Sequence, residues 1–431
     1  MKSAISFLLF LSATAQAADW PQWLGPQRNG ISSETGLFTA EQPSAELRTS
    51  ASSVESSKPF AEAWRVPLGN GFSGISVADG RVFTMFARGN DEFAICLDAE
   101  TGVEIWRHRT GPYYKETQGG DGPRSTPTVD GEIVYVLGAT GKLFALAAAS
   151  GTPIWEKDLV VEFSSQVPRW GFSTSPLVEG DLLLVEAGGH DGNFVVDMAI
   201  DRTTPVTAVA LDKATGATVW TALNEKMSYS SPIAFTAAGT RQLAYFTAYS
   251  LTGLAPEDGR VYWRYPWKTR YDVSAATPVF IAPDRIFIST VNSNGGIVLQ
   301  IKGNGDSLAV EQVWQNKKME NEFGTSVLYE NHLYGFGGSI LKCLDAATGE
   351  EKWKTRGYNK GTLIIADGHL IILGEQGNLG LAQATPEGFV EKASYPAFDS
   401  RCWTIPSLAN GRLYLRDESE IVCLNVQGAA Q

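Results

Sequence analysis

The sequence predicts an all-β protein, an eight-bladed β-propeller of four-stranded antiparallel blades whose last blade is closed by the N-terminal strand. Three observations carry this. The segment LDAETGVEIW, residues 97–106, returns as LAAASGTPIW (146–155), LDKATGATVW (211–220), LAPEDGRVYW (254–263) and LDAATGEEKW (344–353). Between the copies lies a second recurring unit of apolar strand, tight turn and apolar strand, as in TPTVDGEIVYVLG from Thr126 and LIIADGHLIILG from Leu363. Tryptophan also stands outside the copies, so that Trp64, Trp106, Trp155, Trp220, Trp263, Trp314 and Trp353 form a series with a period of roughly 45 residues, that of a propeller blade.

Each element has a local cause. The repeated decapeptide reads as a β-hairpin in which glycine four residues before tryptophan supplies the turn. A small residue ten before tryptophan (Cys96, Ala145, Ala210, Gly253, Cys343) leaves a smooth surface for the indole. Burying one tryptophan contributes at most about 4–6 kcal/mol, from roughly 150–250 Å² at about 25 cal/mol/Å². The inner hairpins begin near Gly74, Ser125, Thr174, Ser231, Ala276, Thr325, Thr362 and Ile405, which makes eight blades. The last, residues 402–426, holds only three strands, and the fourth is supplied by AEAWRVPL around Trp64. A ring closed in this way has no raw sheet edge.

Composition bounds the function. The chain has 431 residues, 43% of them hydrophobic, and a net charge of −12. Nucleic-acid partners, which need clustered Lys and Arg, are excluded on that balance. Residues 1–17 read as a signal peptide: Lys2, an apolar run, and the cleavage site Ala15-Gln16-Ala17. The expected product is periplasmic or secreted after cleavage near Ala17, with no membrane span and monomeric. Residues 18–59 form an N-terminal extension, ordered and non-helical at DWPQWLGP and Ser-rich over 41–59. The propeller occupies 60–426, and 427–431 are a tail. Cys96, Cys343 and Cys423 hold equivalent slots in different blades and read as small core residues. Whether Cys402 and Cys423 pair is left open.

Two blades depart from the pattern. Blade 5 has no glycine four before Trp314, and blade 7 replaces its tryptophan strand with FVEKASY. Blade 3 carries an insertion, residues 188–205, that includes His190 and Asp191. Propeller geometry places the long blade-to-blade links and the second-to-third strand loops on one face, and the tight Asp-Gly turns on the other. The residues leading into the inner strands then stand at the channel mouth on the loop face: Arg124, Arg169, Trp170, Tyr229, Asp272, Glu322, Lys360, Arg401 and Trp403. Charges of both signs beside tryptophan suit a small-ligand site; the alternative is a wet channel mouth with no ligand.

The tryptophan-and-glycine hairpin, repeated over residues 60–426, resembles the PQQ-like β-propeller repeat. The opening DWPQWLGP and the segments GPRSTPTVDG, WGFSTSPLVEG and CWTIPSLANGRLYLR look like those of exported bacterial PQQ-like propellers. The resemblance implies that each tryptophan docks between its own blade's glycine and the next blade's small residue, with Trp64 and Trp314 fitting by position only. It also implies two function classes. One is a non-catalytic binding or scaffolding module for an envelope protein, peptide or small molecule, like the BamB lipoprotein of outer-membrane assembly, with no catalytic residue and no metal. The other is a PQQ-dependent quinoprotein oxidoreductase, an alcohol dehydrogenase holding PQQ with calcium. In that reading Trp170 or Trp403 is the quinone platform, Glu322 and Asp272 hold the cation, and Arg124 or Arg401 faces the quinone oxygens. The adjacent Cys-Cys pair of many such enzymes and a Cys-x-x-Cys-His haem motif are both absent from the sequence. His108, His190, His332 and His369 show no metal spacing, with His332 and His369 in inner-hairpin turns. There is no Gly-x-Ser-x-Gly motif and no phosphate loop. The expectation is therefore the binding module.

Overall fold

A computed structural model of the chain describes residues 18–38, 59–188, 206–291, 294–305 and 307–427. The expected signal peptide, nearly all of the Ser-rich linker, and the blade 3 insertion beyond Gly188 lie outside these residues. Eight sheets are arranged as the repeat predicts, seven of them consecutive four-stranded antiparallel meanders from blade 1 (76–112) to blade 7 (362–396). Blade 8 pairs Ser407–Ala409, Arg412–Arg416 and Glu420–Asn425 with the N-terminal strand Ala61–Pro67, which closes the ring. Trp64 stands opposite Cys423 in that pairing. Across the closing seam the buried Arg416 guanidinium donates to the carbonyls of Met85 (2.7 Å) and Ser73 (3.3 Å) and to Thr84 Oγ1 (3.1 Å). Each blade thus buries both faces of its sheet against its neighbours.

The tryptophan seams correct the expected docking order. The small residue belongs to the same blade as the tryptophan, directly across the strand pair: Cys96 opposite Trp106, Ala210 opposite Trp220, Cys343 opposite Trp353. The glycine belongs to the next blade. A Cβ added to Gly151 would lie 2.5 Å from the Trp106 ring, and one on Gly102 would lie 2.7 Å from Trp64. Both glycines also have positive φ, 69° and 71°, so the turn and the close approach demand glycine together. The indole N–H completes the dock by donating to the next blade's turn: Trp64 to Ala99 O (3.1 Å), Trp106 to Ala148 O (2.9 Å), Trp220 to Pro256 O (2.8 Å). Trp314 is a full member, donating to Ala346 O at 3.0 Å and lying on Gly349. The glycine missing from blade 5 is therefore felt by Trp263 of blade 4. Trp263 turns to its own blade, over Gly253 and onto Gln242 Oε1 at 2.6 Å. All four cysteines, Cys402 and Cys423 included, are free and buried.

Residues 18–38 form a plug across the tight-turn end of the channel. Trp20 bridges Val77 of blade 1, and Ile31–Ser32 adds a short parallel strand to blade 7. The buried Arg28 side chain donates to Pro176 O (2.9 Å) and Ser175 O (3.1 Å) of blade 3. Glu34 accepts from the backbone N–H groups of Asn410 (2.9 Å) and Gly411 (2.6 Å), a tight turn of blade 8. Trp23 reaches blade 5, donating to Thr277 Oγ1 at 2.9 Å. No helix among the described residues is long and apolar enough to cross a membrane.

Candidate functional site

In every blade one row of facing residues crosses the sheet from the inner strand to the outer. In blade 3 it is Leu177, Leu184, Ala210 and Trp220; in blade 1 it is Ser76, Phe83, Cys96 and Trp106. In blade 7 it is Ile364, Ile371, Leu381 and Ala393, with alanine in the tryptophan's place. Four residues before the inner member of each row, the chain stands at the channel rim. The eight rim residues, in blade order, are Phe72, Arg124, Ser173, Tyr229, Ala275, Phe323, Lys360 and Trp403. All but Lys360 line one cavity of about 760 Å³ on the loop face. Trp23 of the plug also lines it, so the cavity is a cup whose floor is supplied from the opposite end of the channel.

Of the nine mouth residues read from the sequence, Arg124, Arg169, Trp170, Tyr229, Asp272, Glu322 and Trp403 line this cup. The other two stand just behind it. Phe323 and Trp403 meet over blade 7 with ring centroids 5.1 Å apart, and Lys360 pairs with Glu322 at 2.9 Å. Arg401 lies over the Trp403 ring, 4.7 Å from its centroid, and pairs with Glu418 at 3.3 Å. Phe72, Phe323, Tyr271 and Trp23 also line the cup and were not among the sequence candidates. The signal that finds Phe72 and Phe323 is the register counted from the tryptophan row. Choosing charged residues near each inner strand passes over them.

The cup has two aromatic walls. Phe72, Trp403 and Phe323 make one, with centroids 5.2 and 5.1 Å apart and planes inclined at 32° and 38°. Trp170 and Tyr229 make the other, 5.2 Å apart at 52°. Burial pushes the Tyr229 hydroxyl up to about 12, so it stays protonated as a donor. Most charges are already answered. Arg124 donates to Gly122 O (2.6 Å) and Gly120 O and sits 3.7 Å from Glu116; burial pulls its pKa down. Asp272 lies 3.6 Å from Lys226. Arg169 differs. It is exposed, its guanidinium lies 5.5 Å from the Trp170 centroid, and among the described residues it has no ion pair.

The family described as outer membrane protein assembly factor BamB (PQQ_2) matches residues 90–355, more than half of the sequence. The chain belongs to this PQQ-like propeller family. No curated protein sequence matches it. Among solved structures, BamB from Moraxella catarrhalis shares 13% identity, covering 85% of this chain and 99% of that one, with a TM-score of 0.59. The quinohemoprotein alcohol dehydrogenase from Comamonas testosteroni also shares 13%, covering 97% and 82%, with a TM-score of 0.53. Sqt1 from Saccharomyces cerevisiae shares 12%, covering 86% and 100%, with a TM-score of 0.56. At such identities the likeness is one of fold.

For a PQQ-like propeller the quinone and its cation have to be tested against the donors present. Among the described residues no three His, Cys, Asp or Glu side chains converge to hold a metal ion. The carboxylates expected to do so are ion-paired, Glu322 with Lys360 and Asp272 with Lys226. Arg124 is tied to backbone carbonyls. The residues do not fit the quinone with its cation. His332 and His369 accompany tight turns, their Nδ1 atoms 2.8 and 2.6 Å from Glu330 O and Asp367 O, and His108 packs against Phe144. His190 lies outside the described residues.

Proposed function

We propose that this PQQ-like propeller is an exported, non-catalytic binding module that takes a small molecule or the end of a chain into the loop-face cup. The observation that carries this is the cup: about 760 Å³, two aromatic walls, a floor supplied by Trp23, and mixed polar groups at the lip. Concave apolar sites with a few directed polar groups bind ligands of that size. A flat protein partner would leave such a depth unused. The apolar start of the sequence supports export, since it reads as a signal peptide.

The test uses the purified mature protein and an Ala275→Trp variant, whose indole fills the cup from the blade 5 rim. Both are dialysed against the small-molecule fraction of a bacterial envelope extract, and retained compounds are identified by mass spectrometry. The expected result is a compound held by the wild type and lost from the variant. Equal retention by both would remove the cup from the reading. In parallel, PQQ with calcium chloride is added and alcohol-driven dye reduction is followed. A retained chromophore together with turnover would replace the binding module with a quinoprotein oxidoreductase.

A further inference from the structure

Resting on the cup as a binding site, we infer that its ligand is an acidic saccharide, a pyranose unit carrying a carboxylate or a sulfate. Three features of the cup point there. The first is the shape of the aromatic surface. Within each wall neighbouring rings are inclined at 32°, 38° and 52°, so neither wall is a single flat face. A flat heteroaromatic ligand gains most between parallel faces, where offset stacking is possible on both sides. A puckered sugar ring presents C–H groups at several angles, and each of these meets the negative face of an inclined ring.

The second feature is the polar inventory of the lip. Gln118 and Gln166 offer exposed side chains that both donate and accept, Asp272 and Glu322 retain acceptor lone pairs beside their ion pairs, and the buried Ser231 hydroxyl, which accepts the Ser175 amide at 2.9 Å, also lines the cup. Hydroxyl groups, each one donor and two acceptors, require such a mixture, whereas a hydrocarbon ligand would leave it unanswered.

The third feature is charge. Arg124 faces Glu116, Lys226 faces Asp272, Lys360 faces Glu322 and Arg401 faces Glu418. Arg169 alone among these cations has no carboxylate partner among the described residues, and it is held at the lip over the Trp170 face. On a chain of net charge −12, one guanidinium that no described carboxylate answers, beside these aromatic walls, selects a ligand bearing an anion. The guanidinium fork binds a carboxylate and a sulfate alike, so the shared chemistry is an anionic group on a pyranose.

Titration calorimetry at low and moderate salt tests the inference with four probes: a galacturonate trimer, a sulfated lactose, uncharged maltotriose, and flavin mononucleotide as a flat anion. The expected result is that at least one acidic saccharide binds more tightly than maltotriose and weakens with salt. Whichever acidic saccharide is preferred tells the carboxylate from the sulfate source. Arg169→Gln should lower acidic-saccharide affinity roughly tenfold and leave maltotriose unchanged. Trp403→Ala should weaken both. An unchanged affinity in Arg169→Gln, or flavin mononucleotide binding above every saccharide, overturns the inference. If no saccharide binds but the wild type still retains a compound that Ala275→Trp loses, the cup stands and the saccharide falls. If that difference between the two proteins is also missing, both fall.

Discussion

The two ends of the channel handle their polar groups differently. At the turn end the chain answers most of its own polar groups. Arg28 caps two carbonyls of blade 3, Glu34 takes two turn amides of blade 8, and Asp367 accepts the Leu37 amide at 2.9 Å. Toward the loop end, groups are left over. Both carboxylate oxygens of Glu186, the Tyr245 hydroxyl and the Trp170 indole N–H are buried without a well-formed hydrogen bond among the described residues. Glu186 ends the second strand of blade 3, two residues before Gly188 on the cup wall, and Tyr245 packs into the seam between blades 3 and 4. Buried polar atoms are normally satisfied by protein or by ordered water. The turn end, where Arg28 Nε is left over in the same way, is thus mostly tied by the chain itself, and the loop end keeps the larger hydrogen-bonding capacity for water or a ligand.

The sharpest way to break this contrast is Arg28→Met, which keeps the side-chain bulk and removes the donors. It leaves the carbonyls of Ser175 and Pro176 dry, and Gln22 loses its 3.0 Å partner. Each such orphan costs about 1–3 kcal/mol, partly offset because a desolvated cation disappears too. A net loss of about 2–4 kcal/mol is expected in chemical denaturation. A loss under about 0.5 kcal/mol would mean that the plug is decoration on a ring stable without it.

A smaller and pH-dependent effect is expected at Glu186. Burial holds its pKa well above the ordinary carboxyl range, with the Ser228 amide pulling the other way. The unfolded chain ionises this carboxyl near about 4.3. Above that pH the unfolded state gives up a proton that the folded state keeps, so stability falls as pH rises until the folded pKa is passed. Glu92, raised to about 7 by burial between blades 1 and 2, adds a fall of the same sign that is complete somewhat above pH 7. Glu186→Gln should match the wild type near pH 4 and be the more stable at pH 8. Denaturation midpoints at the two pH values check this, and a variant no more stable at pH 8 would mean that the carboxylate is stabilised there by water or an ion.

How much of this is legible in the sequence depends on whether a residue belongs to the repeat. Eight blades and their closure can be read because Trp64 to Trp353 recur in one register, and because a three-stranded last blade needs a fourth strand. The docking order cannot be read as easily. Gly102 and Trp106 are neighbours in one hairpin and invite pairing, but stacking of twisted sheets sets Trp106 over Gly151 of the next blade. The rim follows the same rule. Arg124, Tyr229 and Trp403 stand out as charged or aromatic residues before inner strands, and Phe72 and Phe323 occupy the identical register and emerge once it is counted. Trp23 lies outside every repeat. Its place on the cup floor follows from the path of the plug, which local sequence does not encode.

The smallest effect is the most informative about the two ends, because it concerns the same side chain as the largest. Arg169 is exposed at the lip and its guanidinium has no ion pair among the described residues, lying over the Trp170 face, whereas Arg28 is 5% exposed and holds three oxygens. Arg169→Gln should therefore change folding stability by less than about 0.5 kcal/mol, the range of surface substitutions that leave no buried group unpaired. Thermal and urea denaturation of the two variants side by side measure this. If Arg169→Gln proved as costly as Arg28→Met, the lip cation would be part of the architecture, and the distinction between a finished end and a receptive end would dissolve. If it costs nothing, the fold has no use for that charge, and the guanidinium over the indole at the cup's edge is free to serve a ligand.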